Sequence, residues 1–364
     1  IGPRIIMAVG GLVSGAGLVG MSQVHQIWQL YFVFGGIGLV GAVGMGGLVT
    51  STTVAKWFVR RRGRAMAIQS AGMAVGGAIF PLIIDHLITS MGWRGAWFVL
   101  GIITWVLIIP LSLLFLRRAP EDMGLRPDGD EEPPSPVGGV VPSSAVAIQV
   151  AHEEQAWTLG AAMRTPALWL ILLAFSFSSL GTSANAAHRI PYWMDKGFSR
   201  EVASAALSFD AFFAAITILL FGFLAERFHA RHLTMVAFLG LALSMVFYLT
   251  AGNTPMMFIA NITFGLAIGG QIVLNPLLWA NYYGRTFLGT IRGTVAPISL
   301  MVGAAAPPFA GFVYDVRGSY FLAYVVFLFT FIGAAALILF AKPPAPPKRR
   351  QAEALAKAAE PGAG

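Results

Sequence analysis

There is no cysteine in this 364-residue chain, so disulfides, thiolate metal sites and cysteine nucleophiles are excluded. Charge is nearly as scarce. Asp, Glu, Lys and Arg make up 11% of the residues, where an average soluble domain carries roughly a quarter. No Gly-Lys-Ser/Thr follows any glycine-rich stretch, so the sequence offers no phosphate loop for nucleotide-driven work. The six histidines are scattered, with His86, His188, His229 and His232 at the ends of apolar runs. They assemble neither a metal cluster nor a nucleophile–base pair, which argues against an intramembrane enzyme and against a cofactor or metal. No signal peptide precedes the first apolar run, and the first residue is Ile1, so the start is expected to be truncated.

What the chain has in quantity is apolar length, with 57% of its residues hydrophobic. Apolar runs occupy about Ile5–Met21, Ile27–Val54, Ala65–Ile88, Gly95–Leu116, Ala167–Ala187, Val202–Ala225, Leu233–Ala251, Met256–Ala280, Gly293–Tyr314 and Phe321–Ala341. A bilayer span needs roughly 20 apolar residues. Lipid offers the backbone no hydrogen bonds, so such runs are expected to be helices, and the fold class is an all-α membrane protein. The net charge of +8 would suit nucleic acid, but the basic residues sit in short clusters between apolar runs, which is a topology signal. With Arg4 placed inside and the sides alternating, 19 of the 24 Lys and Arg fall on the cytoplasmic side. Only Arg94, Arg189, Lys196, Arg200 and Arg317 fall outside. Residues 117–165 differ in kind, being acidic from Glu121 to Glu132, then rich in proline, serine and glycine. They are expected to form a cytoplasmic linker.

The chain also repeats. The register that lays Gly44 on Gly270 also lays Gly63 on Gly289, Gly77 on Gly303, Pro81 on Pro307 and Gly92 on Gly318, without a gap. Two parallel six-helix halves joined by a linker form a transporter plan. Four runs precede the linker and six follow it, so ten of twelve helices are expected here, with two more encoded upstream. The expected divisions are an N-terminal half at 1–116, a linker at 117–165, a C-terminal half at 166–341 and a cytoplasmic tail at 342–364.

The stretch Gly222-Phe-Leu-Ala-Glu226-Arg227-Phe-His-Ala-Arg231 resembles the cytoplasmic loop motif of the major facilitator superfamily. Gly2-Pro3-Arg4 is similar to the tail of the first-half copy, and Trp57-Phe58 with Arg61-Arg62-Gly63-Arg64-Ala65 resembles the loop before the fifth helix. Two further stretches, Glu121–Gly129 and His188–Ser199, are similar to the branch holding monocarboxylate transporters and oxalate/formate antiporters. The resemblance implies the two-half plan and alternating access. It also implies a cytoplasmic gate built from Gly222, Glu226, Arg227 and Arg231, with Gly2 and Arg4 in the other copy. The plain alternative for those arginines is positive-inside topology. The chain departs from the branch in two places. Asp210 has Ala214 rather than a basic residue one turn on, and Gly293–Tyr314 carries no Lys or Arg. A small carboxylate therefore suits it better than a dianion gripped by two cations. The stretch from Gly72 to Pro81 lacks the Gly-Pro core of the drug-antiporter motif, which argues against drug efflux.

Asp210 is the sharpest candidate for a solute or proton pathway. It lies in Leu-Ser-Phe-Asp-Ala-Phe-Phe, and a charged Asp at mid-bilayer costs ~2.5–3.5 kcal/mol on insertion scales, so such residues face a cavity or a partner. The plain alternative is a packing role. Asn185, His188 and Arg189 are spaced i, i+3 and i+4, which puts them on one helical face. Histidine titrates in the physiological range and arginine grips carboxylates through two parallel hydrogen bonds. The alternative there is a helix end anchored among headgroups, with Arg189 snorkelling. Gln271 and Asn275 share a face of one run with Asn261 higher on it. As a solute-lining set they compete with the simpler reading of amides that join helices. Asp85-His86 reads as a solvated helix end. Together these features lead to a secondary active transporter, coupled to a proton, for a small organic anion such as a monocarboxylate. Efflux of amphipathic compounds is the alternative. The expected partners are a small solute, a proton and the lipid bilayer, not nucleic acid, and a monomer in the plasma (inner) membrane is expected.

Overall fold

The computed structural model describes residues 2–38, 41, 44–129 and 157–344. Residues 130–156 of the linker, and the tail from 345 onward, lie outside the described residues. Every regular element among the described residues is helical. Besides a π-helix at Tyr31–Gly38 and 3-10 turns at Pro120–Met123 and Pro127–Gly129, the α-helices in chain order are α1 (Pro3–Ser22), α2 (Ile27–Leu30), α3 (Gly47–Trp57), α4 (Arg62–Phe115), α5 (Leu159–Met163) and α6 (Pro166–Asp195). There follow α7 (Arg200–Leu224), α8 (Ala230–Thr250), α9 (Thr254–Tyr283), α10 (Leu288–Arg317) and α11 (Phe321–Phe340). Eight helical stretches among the described residues are long and apolar enough to cross a membrane. Many of their large apolar side chains are exposed, among them Phe212, Phe223, Phe312 and Phe329, as lipid-facing surfaces require.

Two of the expected runs take a form that the hydropathy pattern does not convey. The run from Ile27 to Val54 starts as α2, continues as a π-helix over Tyr31–Gly38, and resumes as α3 after Gly46. Seven glycines between 35 and 47 account for this, since glycine is a poor helix former and each one weakens a continuous α-helix by up to ~1 kcal/mol. The runs Ala65–Ile88 and Gly95–Leu116 join into α4, broken only at Gly92, where φ is 72° and ψ 169°. Gly318, its partner in the repeat, also adopts the left-handed region (φ 65°) where α10 ends. A side chain in that region costs about 1–2 kcal/mol, which gives both repeat positions a local reason to be glycine.

The chain divides into two compact units. The first comprises Ile1–Pro134, Ala205–Leu233 and Asn261–Leu277; the second comprises Ser135–Ser204, Thr234–Ala260 and Leu278–Gly364. In the first unit, α1 lies along the second part of α4. A Cβ on Gly15 would come 2.1 Å from Trp105 Nε1, and one on Gly11 would come 2.7 Å from Ile108. Trp105 Nε1–H donates to the Leu12 carbonyl at 3.0 Å, so its indole is satisfied within the apolar contact. The Gly11–Gly15 spacing therefore does serve close helix packing. The similar Gly72–Gly76 spacing does not, because a Cβ at Gly72 would meet nothing within 4 Å among the described residues. Spacing alone does not separate a packed glycine pair from one with open space beside it.

In the second unit, α6 packs against α10 and α11. A Cβ on Gly303 would lie 2.1 Å from Ser179 Oγ, and one on Gly181 would lie 2.4 Å from the Phe331 ring. The Ser176 and Ser299 hydroxyls meet at 3.0 Å, and Ser179 donates to the Ser299 carbonyl at 3.2 Å. Lys196, just past α6, donates to the carbonyls of Tyr248, Leu249 and Ala251 at 2.7, 2.9 and 3.1 Å. Its ammonium satisfies the otherwise orphaned carbonyls at the end of α8 and complements that helix's dipole.

Candidate functional site

Within the first unit, Asp210 lies near the middle of α7 and is buried, with 6% of its surface exposed. Its main chain is pressed against α9. A Cβ on Gly265 would lie 2.3 Å from the Asp210 carbonyl oxygen and 2.9 Å from its Oδ1, and one on Gly269 would lie 2.3 Å from the Ala214 carbonyl. Glycines at i and i+4 of α9 thus receive residues at i and i+4 of α7, and the backbones cross where the carboxylate is held. Asn261 sits one turn before Gly265 on the same side of α9 and is fully buried. Gln271 and Asn275 lie further along α9, half-buried. The glycine pair that fixes this crossing was not singled out in the sequence, where glycines are too abundant to stand out.

At the far end of α7, Glu226 Oε1 accepts the Arg64 Nε–H at 2.8 Å and the Arg64 backbone N–H at 3.3 Å. The hydrogen bond from Glu226 holds the Arg64 guanidinium above its ordinary range, ahead of the smaller opposing effect of burial. The helices meet through backbone here too. A Cβ on Gly63 would stand 2.4 Å from the Gly222 carbonyl, and one on Gly222 would stand 2.3 Å from the Ala67 Cβ. Arg227 lines a cavity of about 280 Å³ beside the pair, and Arg231 turns to His232 at 3.3 Å. Gly2 forms the N-cap of α1, and Arg4 is exposed in its first turn. Arg64 is the member that sequence reasoning quoted but did not assign, because its charge was absorbed into the topology count.

Asp128 organises the start of α4. Its carboxylate accepts the backbone N–H groups of Val59, Arg60 and Arg61 at 3.0, 2.8 and 3.1 Å. Burial pushes its pKa up, but the three N–H bonds prevail and hold it below the usual carboxylate range. Asp128 itself has φ 61°, a strained position for a non-glycine residue, and the three bonds offset that strain.

The second unit holds Asn185, His188 and Arg189. All three lie on α6, and the structure separates their roles. His188 Nε2 faces the Pro307 carbonyl of α10 at 2.9 Å, and Nδ1 faces the Tyr320 hydroxyl at 3.3 Å. A carbonyl only accepts, so Nε2 carries a proton, and Nδ1 is the nitrogen that meets the Tyr320 hydroxyl. Burial keeps the Tyr320 phenol above its ordinary range, so it remains a neutral hydroxyl. Asn185 is fully buried. Its Oδ1 accepts the Tyr324 O–H at 3.0 Å, while its Nδ2 makes no hydrogen bond among the described residues. Arg189 is buried as well, at 9% exposure. Tyr320 and Tyr324, one turn apart, were missed in the sequence. The available signal was two hydroxyls at helical spacing opening an otherwise apolar run.

Comparison with known proteins adds a family to this geometry. The family model described as Major Facilitator Superfamily matches residues 1–194 and 189–362. The chain is 25% identical over 304 residues to monocarboxylate transporter 12 of Mus musculus, covering 79% of this chain and 61% of that protein. It is 24% identical over 289 residues to the oxalate:formate antiporter of Oxalobacter formigenes, covering 79% of this chain and 63% of that protein. The chain thus spans a little over three fifths of the length of these curated relatives. Among solved structures, the E. coli fucose:proton symporter aligns with a TM-score of 0.66 at 14% identity, covering 94% of this chain and 84% of that one. At that identity the likeness speaks for the fold alone.

Proposed function

The chain belongs to the major facilitator superfamily, and from that premise we propose that it is a secondary active transporter moving a small organic anion, such as a monocarboxylate, together with a proton. The observation that carries the coupling is Asp210, buried midway along an apolar helix. A carboxylate there is expensive when ionised without a partner and cheap when protonated, so its charge state is tied to what else occupies the pathway. Asp210 loads a proton on one side, the solute's own negative charge accompanies it, and both are released on the other side by alternating access. Asn261, Gln271 and Asn275 in the first unit, and Asn185, His188 and Arg189 in the second, each offer polar groups to a solute pathway. His188 relays protons through Nδ1, and Arg189 complements the carboxylate. The halves are residues 1–116 and 166–341, joined by 117–165 and followed by the tail from 342. The repeat that lays Gly44 on Gly270 and Gly92 on Gly318 supports that division. The transporters named among the relatives support a carboxylate as cargo.

The Arg64–Glu226 pair and the Gly63–Gly222 crossing act as a cytoplasmic gate, fastened when the site faces outward and released when it faces inward. Arg227 and Arg231 support the gate, and Gly2 and Arg4 belong to its counterpart. The protein works as a monomer in the plasma (inner) membrane, with the linker and tail in the cytoplasm. In intact cells, a membrane-impermeant maleimide–biotin should fail to label a single cysteine introduced in the linker of this cysteine-free chain, while the same reagent should label it in inverted vesicles. Labelling from outside would reverse the orientation. The function itself is tested with the natural protein in liposomes preloaded with an unlabelled short monocarboxylate. Labelled carboxylate outside should accumulate transiently by exchange. If it does not, while cationic dyes are moved, the protein is an efflux pump for amphipathic compounds.

A further inference from the structure

We propose that the cavity at the Arg227 end of α7 is a binding site for the headgroup of an anionic phospholipid, whose acyl chains lie along the exposed apolar stripe of the same helix. The cavity, about 280 Å³, is lined by Arg64, Leu220, Phe223, Leu224, Glu226 and Arg227. Its polar wall carries two guanidinium groups and one carboxylate, a net charge of +1 that matches a phosphodiester. Arg64 spends its Nε on Glu226 at 2.8 Å and lies 5.9 Å over the Phe223 ring. The Arg227 guanidinium makes no hydrogen bond or ion pair among the described residues. Planar guanidinium forks match phosphate oxygens in pairs, and arginine is weakly hydrated, so desolvating it against a phosphate is inexpensive.

What separates a lipid from free phosphate is the surface that leads into the cavity. Phe209, Phe212, Ile216, Leu220 and Phe223 are 45, 62, 46, 49 and 56% exposed. Their spacing of 3, 4, 4 and 3 residues makes one straight stripe along α7, and its last two members are also cavity walls. A free anion would use only the arginines. A phospholipid uses both features, its phosphate on Arg227 and the open side of Arg64, its glycerol against Leu220 and Phe223, its chains along the stripe. The proposal stands whether or not the protein transports a carboxylate, and whichever side of the membrane the cavity faces.

The test uses the natural protein in phosphatidylcholine vesicles containing trace spin-labelled phosphatidylglycerol or spin-labelled phosphatidylcholine, read as the motionally restricted fraction by electron paramagnetic resonance. Phosphatidylglycerol should be selected over phosphatidylcholine, and Arg227→Gln should reduce that selectivity by roughly fivefold, the weight of one cation near an anionic headgroup. Arg227→Lys should keep most of it, and Arg317→Gln, an exposed arginine elsewhere, should leave it unchanged. Equal selectivity in the parent and Arg227→Gln would overturn the proposal. So would a second outcome: no lipid selectivity, with millimolar inorganic phosphate raising the melting midpoint of the parent but not of Arg227→Gln. The cavity would then hold free phosphate.

Discussion

Asp210→Asn should abolish proton-driven accumulation of a labelled carboxylate while leaving exchange of substrate for substrate largely intact. Asparagine has nearly the shape of a protonated aspartate and does not ionise, so it locks the loaded state. The variant also separates charge from packing. The tight contact of Asp210 with Gly265 is made chiefly by the main chain, with the carbonyl oxygen 2.3 Å from where a Cβ would stand, and it survives the substitution. Gly269→Ala tests the packing alone. Its Cβ would stand 2.3 Å from the Ala214 carbonyl, so it forces the α7 and α9 backbones apart and should cost about 1–3 kcal/mol of stability without touching the carboxylate. The signature expected of Asp210→Asn is therefore a normal melting midpoint with accumulation reduced to that of empty liposomes. If Asp210→Asn accumulates substrate like the parent, the residue is structural and coupling resides elsewhere.

Reversing one charge of the gate should slow transport severalfold, and reversing both should recover most of the rate. Arg64→Glu places two carboxylates together at a site that holds a 2.8 Å ion pair, and Glu226→Arg places two cations there. The double reversal restores an attractive pair in the opposite sense, so the double-mutant cycle isolates the interaction from the general charge of the region. A larger effect is expected from Gly222→Val. Its Cβ would stand 2.3 Å from the Ala67 Cβ and 2.9 Å from the Gly63 carbonyl, neither of which is a flexible side-chain end. Holding α4 and α7 apart by ~1–3 kcal/mol shifts a two-state equilibrium by roughly 5- to 150-fold. Gly222→Val should therefore populate the inward-facing state and depress transport more than either charge reversal. A double reversal no better than the two single reversals combined would show that Arg64 and Glu226 are only neighbours.

Apolar length was the most legible property of this sequence, because lipid leaves the backbone only a few solutions. Helices are found where hydropathy placed them, and Gly92 and Gly318 both take a positive φ at matching positions of the repeat, though with different ψ. The breaks within runs were less legible. Hydropathy does not register that glycines between 35 and 47 turn a span into π-helix and a separate α-helix, nor that Gly92 alone divides α4. Within the candidate site, the unusual residues could be read but their partners could not. Asp210, His188 and Glu226 stood out as polar groups in or beside apolar runs. The groups that hold them are glycines, tyrosines and an arginine, types too common or too easily explained to attract notice. They are also distant along the chain. Gly265 sits on α9 while Asp210 sits on α7, Tyr320 precedes α11 while His188 is on α6, and Arg64 opens α4 while Glu226 follows α7. Such pairings are set by how helices pack, which hydropathy does not encode.

The most direct measurement is of the protons that accompany the solute. The natural protein is placed in weakly buffered liposomes, and a short monocarboxylate is added outside under an inward proton gradient, with empty liposomes correcting for passive entry. The account predicts that external pH rises as labelled carboxylate enters, in a fixed ratio of one proton per carboxylate, and that Asp210→Asn removes both signals together. Uptake of carboxylate with no matching loss of external protons would contradict proton coupling through Asp210.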